Sequence, residues 1–160
     1  MTLREWANQH RGELHDEAPT QQAIADLLAV AEREIGDAES VRSDDGRLQH
    51  SFAACLAAAN AALLACGFRL RQGALAHHYL LLDSLQHTVG LAPAEAHELQ
   101  HYRQKRSRAV YERTGVVTRT EAEAAGAAAL RLQERLRSWL AAEHPSLVQT
   151  TDPNEFRPKK

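Results

Sequence analysis

The segment TRTEAEAAGAAALRLQERLRSWL, residues 118–140, places its apolar side chains at Ala122, Ala125, Ala129, Leu132, Leu136, Trp139 and Leu140. Steps of three and four put all seven on one stripe of an α-helix. Thr118 and Glu121 form a capping box at its start, and Pro145 closes it. Upstream, Ile24, Leu27, Leu28, Ala31, Ile35, Ala38 and Val41 repeat the pattern on a helix that Thr20 can cap, with Ser43-Asp44-Asp45-Gly46 read as the turn after it. A third helix, over about 47–66, carries Leu48, Phe52, Cys55, Leu56, Ala59 and Leu63. Its many alanines keep it slim enough for close neighbours, and Gly67 stops it.

The remaining segments fit around these. Leu75, His78, Leu82, Leu85 and Val89 stand at core spacing on a fourth helix that ends at Gly90. Pro93 suits the first turn of a fifth, which runs to about Arg113 before Thr114-Gly115 breaks it. A short first helix begins at Thr2, with Glu5 completing a capping box and Leu3, Trp6 and Leu14 available for burial. Short connections between long amphipathic helices predict an all-α antiparallel bundle of four to six helices. Residues 1–145 read as one domain and 146–160 as a polar, flexible tail.

Composition agrees with that reading and excludes several classes. The chain has 160 residues, is rich in helix formers, and carries a formal net charge of −2, so no strong overall field draws it to nucleic acid or membrane. Two cysteines in one Ala-rich run, Cys55 and Cys66, read as small core residues of a reducing cytosol. The N-terminus has no basic-then-apolar leader pattern, and no apolar run is read as a membrane span. The expectation is a cytoplasmic protein without a membrane partner. A Gly-rich phosphate loop is missing, and no cofactor is expected.

Three constellations could carry chemistry. His97-Glu98-Leu99-Gln100-His101 is a literal H-E-x-x-H, in which two histidines one turn apart could share Zn²⁺ and the glutamate activate water. On the helical wheel His97 and His101 lie opposite the Leu99, Tyr102, Arg106 and Val110 seam, which turns them to solvent or a partner. A zinc metallohydrolase using this motif is therefore an alternative, not the leading reading. The second constellation is basic and aromatic: Tyr102, Arg103, Lys105, Arg106, Arg108 and Tyr111. Arg106 falls on the apolar seam, where an ionised guanidinium needs a carboxylate, helix-end carbonyls or a bound anion. The third is Arg69 and Arg71 leading to His77-His78, an expected anion-binding corner in which His78 sits on the core stripe.

The stretches Leu64-Ala65-Cys66-Gly67-Phe68-Arg69, His77-His78 and Gln104-Lys105-Arg106-Ser107-Arg108-Ala109-Val110-Tyr111-Glu112 resemble a bacterial branch of the HEPN (higher eukaryotes and prokaryotes nucleotide-binding) superfamily. That branch has a "G-aromatic-R" corner, a paired "HH" and a later "K-R-N … Y" helix. The resemblance continues through Val117-Thr118 and Glu121-Ala122 and covers roughly residues 38–141. It implies a helical bundle, often a homodimer, that binds nucleotide or RNA. It also implies partners such as a nucleotidyltransferase or an antitoxin, in toxin–antitoxin or phage-defence systems. Ribonuclease members use an Arg and a His without metal, and Arg106 with His77, His78 or Tyr111 are the catalytic candidates here. Arg69, Arg71, His78, Tyr102, Arg103, Lys105, Arg106 and Tyr111 are the expected ligand-binding set. Ser107 stands where that branch has Asn, and Tyr111 where the ribonucleases have His. With a pKa of about 10, Tyr is a poor base at neutral pH, so the resemblance implies binding more than cleavage, with a metal-independent ribonuclease as the alternative.

Overall fold

Both capping boxes form. Glu5 N donates to Thr2 Oγ1 and Thr2 N to Glu5 Oε2, at 3.2 and 2.6 Å. Glu121 N donates to Thr118 Oγ1 at 3.1 Å, with Thr118 N returning to Glu121 Oε1. Thr20 accepts from Ala23 N. Each side chain satisfies backbone groups that a helix end leaves open. The helices so delimited are α1 (Leu3–Gln9), α2 (Gln21–Ser40), α3 (Asp44–Ala65), α4 (His77–Asp83), α5 (Pro93–Tyr111) and α6 (Arg119–Glu143). This computed structural model describes residues 1–73, 77–111 and 115–148, apart from the Tyr111 side chain. Leu75, Thr114 and the tail from 149 onward lie outside the described residues.

The fold is an all-α bundle with α3 at its centre, packed against α2, α4, α5 and α6. Leu48, Phe52, Cys55, Leu63, Leu64 and nearly all the alanines of α3 are buried. Small side chains let neighbours approach from every side, and burial of each large apolar one contributes about 1.5–3 kcal/mol. Among the described residues α3 alone has the length and hydropathy of a membrane span, contrary to expectation, and 72% of that window is buried inside the bundle. Its apolar character belongs to a core helix.

Five other readings of the sequence need correction. Leu14–Asp16 and Phe68–Leu70 form two short antiparallel strands, β1 and β2, in register Leu14↔Leu70 and Asp16↔Phe68. Three-residue strands are too short to show alternation. Gly67, at φ 89°, reverses the chain into β2, a conformation a Cβ would strain. The Ser43–Gly46 "turn" is the start of α3. Ser43 caps Gly46 N at 3.0 Å, and Asp44 and Asp45 occupy the first turn, where negative charge is favoured.

His78 is exposed, not core. The described part of α4, His77–Asp83, continues as a 3₁₀ turn, Ser84–Gln86. Leu80, Leu81, Leu82 and Leu85 are buried together, whereas His78 and Tyr79 just before them lie outside. On α5 the seam fades early, and Val110 is 44% exposed. The expected tail begins too soon as well. Pro145–Leu147 forms a 3₁₀ turn, Leu147 and Val148 pack on the core, and Gln21 Nε2 donates to Ser146 O at 2.6 Å.

Candidate anion-binding site

The first turn of α4 meets the second half of α5 over Phe52 of α3. The Arg106 guanidinium stands 5.5 Å above the Phe52 ring centre. His78 meets the same ring edge-on, with centroids 5.8 Å apart at 70°. His77 lies 5.8 Å from His78. One step along, the Arg103 guanidinium sits 5.6 Å over the ring of Tyr79, which is 46% exposed. Gln100 ties the two helices together. It accepts from Arg103 Nε at 2.7 Å and donates to Tyr79 O at 3.0 Å.

Seating a guanidinium on an aromatic face holds it by cation–π attraction and leaves its N–H edge free. Among the described residues neither Arg103 nor Arg106 makes a salt bridge. The charge Arg106 carries on the seam is therefore met by the Phe52 face, not by a buried carboxylate. His78 is held below the ordinary imidazole pKa, first by partial burial and then by the positive charges of Arg106, His77 and Arg103. The side chain as a whole is exposed, so burial acts on the ring edge that meets Phe52. At neutral pH His78 is uncharged and can accept a proton or a hydrogen bond.

The structure gathers four of the expected residues, His77, His78, Arg103 and Arg106. It places the others elsewhere. Tyr102 is a core residue whose hydroxyl donates to Glu98, and burial pushes its pKa up. Lys105 pairs with Glu121 at 3.2 Å on the side facing α6. Arg69 pairs with Glu17 at 2.6 Å, and Arg71 Nε donates to Leu14 O at 3.0 Å, both in the β1–β2 corner. The Tyr111 side chain lies outside the described residues. Sequence reasoning missed Phe52, Tyr79 and Gln100 as parts of the site. Tyr79, an aromatic directly after the paired histidines, was the available signal.

His97 and His101 are exposed on α5, and His101 Nε2 lies 3.6 Å from Glu121. Glu98 is engaged by Tyr102 and lies 3.7 Å from Arg131. Among the described residues the group that could hold a divalent cation is Glu34, Asp37 and His50, with ligand atoms within 4.8 Å of one another. Burial pushes the Cys55 thiol up to about 12 and that of Cys66 to about 11, which leaves neither a nucleophile. A separate groove of about 370 Å³ opens between α5 and α6, but its arginines are paired, Arg135 with Glu95 and Arg131 with Glu98. Compared with family models, curated proteins and solved structures, the chain gives no match.

Proposed function

We propose that the chain binds the phosphodiester backbone of single-stranded RNA at the α4–α5 patch. The observation that carries this reading is the pair of guanidiniums, Arg103 and Arg106, each seated on an aromatic ring and free of carboxylates among the described residues. Phosphates are bound by such forks, and exposed aromatic faces such as Tyr79 stack bases without sequence preference. The sequence resemblance to HEPN proteins supports the same ligand class. It also supports a homodimer acting with an antitoxin or nucleotidyltransferase partner.

Fluorescence anisotropy with a labelled single-stranded RNA tests it. Binding should weaken steeply with salt, and the Arg103→Ala/Arg106→Ala variant should lower the salt slope by roughly 1.4, about 0.7 for each single-strand phosphate that is no longer neutralised. Binding that ignores both salt and these substitutions would overturn it.

The position of His78 favours a second reading, metal-independent cleavage. Its ring shares Phe52 with Arg106, so a neutral base stands beside a cation able to stabilise a phosphorane-like charge. RNA incubated with the protein in chelator should then be cut, and both His78→Ala and Arg106→Ala should abolish cutting. Intact RNA leaves binding alone.

A further inference from the structure

Arg4 and Arg11, at either end of α1, and Arg71, just past β2, line one open groove of about 510 Å³. The carboxylate in its lining is Asp16, and among the described residues none of the three arginines makes a salt bridge. Two of them are held in place. Arg11 Nε donates to Asn8 Oδ1 at 3.1 Å, and Arg71 Nε donates to Leu14 O at 3.0 Å. Arg71 N also donates to Glu13 O at 2.7 Å, which fixes its backbone against the segment leading into β1. In both side chains the inner N–H is the anchor and the outer nitrogens remain for a ligand, the arrangement that makes a guanidinium fork selective for oxyanions. Buried Leu14 and half-buried Phe68 form the apolar wall. The groove shares no residue with the α4–α5 patch.

We propose that this groove is a second anion site, taking a small ligand with two linked phosphates. Its volume lies within the ordinary range for small-molecule sites, about 300–1,000 Å³. Arg4 lies in the first turn of α1 and Arg11 two residues past its end, so the groove sets guanidiniums at separate positions for two phosphates. The site needs no contribution from Arg103 or Arg106, so it stands whether or not RNA binds there.

Calorimetric titration of the whole chain with inorganic pyrophosphate, orthophosphate and ADP tests it. Pyrophosphate should bind saturably and at least tenfold tighter than orthophosphate. Arg4→Gln/Arg11→Gln and, separately, Arg71→Gln should each weaken it tenfold or more, while Arg103→Ala/Arg106→Ala stays within twofold of wild type. Arg4 and Arg11 are exposed, and a thermal melt matching wild type confirms that their variant is folded. ADP binding tighter than pyrophosphate assigns the site to a nucleotide that stacks on Phe68, and equal affinity assigns it to a bare diphosphate. The proposal falls if pyrophosphate shows no saturable binding, if the arginine substitutions leave it unchanged, or if Arg103→Ala/Arg106→Ala abolishes it. It also falls if Arg4→Gln/Arg11→Gln weakens RNA and not pyrophosphate, which would make the groove an extension of an RNA path.

Discussion

Along α5, His101 and Lys105 point toward the start of α6, whereas Gln100, Arg103 and Arg106 face α4 and α3. On the first flank the charges are consumed locally. Lys105 and His101 both approach the Glu121 carboxylate, at 3.2 and 3.6 Å. Burial opposes ionisation of Glu121, but hydrogen bonds from Thr118 and Lys105 outweigh it and hold the carboxyl below its ordinary value. On the second flank the cations rest on Phe52 and Tyr79, and Arg103 spends only its Nε, on Gln100. The same helix thus carries one flank that closes a helix end and one that offers charge to a ligand. What separates them is also the partner each side chain meets, a carboxylate on one flank and an aromatic ring on the other.

Four measurements would break or sharpen that contrast. The largest expected effect is on RNA affinity. Arg103→Ala/Arg106→Ala should weaken binding on the order of 100-fold, as two charge-assisted hydrogen-bonding groups disappear. His101→Ala/Lys105→Ala should stay within about twofold. Equal losses in an anisotropy titration would erase the distinction between the flanks. Next, Tyr79→Ala should cost about tenfold in RNA affinity by removing a base-stacking face, and Tyr79→Phe should restore it. On the α6 flank, Thr118→Ala should lower unfolding free energy by about 1 kcal/mol, the ordinary cost of an N-cap, with RNA affinity unchanged. Denaturant melts read this directly.

The smallest effect is on pH dependence. Because the folded-state pKa of His78 is lowered from 6.5, the unfolded chain binds more protons. The stabilising contribution is present above pH 6.5 and is lost as pH falls toward the folded value. A bound phosphate reverses the preference by favouring the imidazolium. RNA affinity should therefore rise a few-fold from pH 7.5 to 5.5, and His78→Ala should flatten the rise.

The helices were legible in the sequence wherever local chemistry sets them. Thr2, Thr20 and Thr118 each cap the helix they announce. The apolar stripe of α6 is the buried one, with Ala122, Ala125, Ala129, Leu132, Leu136 and Leu140 all inside. Spacing misled at His78, which stands one turn before buried Leu82 but meets only the edge of the core, at Phe52. It could not see the β1–β2 pair, whose partners stand more than fifty residues apart. Buried polar side chains were equally invisible. Ser51 and Gln133 lie on helix stripes without a hydrogen-bond partner among the described residues.

By itself the sequence determined that this chain is an all-α bundle, since propensity, caps and 3.6-residue periodicity act within a few neighbours. It also pointed to Arg106 as a cation on an apolar seam. Only the tertiary structure decided what that cation meets. Packing α4 and α5 onto α3 sets Arg106 and His78 on one Phe52 ring, and packing α6 against α5 diverts Lys105 to Glu121. Whether a charge is free or paired depends on contacts between segments distant in the chain, and those are fixed by packing rather than by spacing.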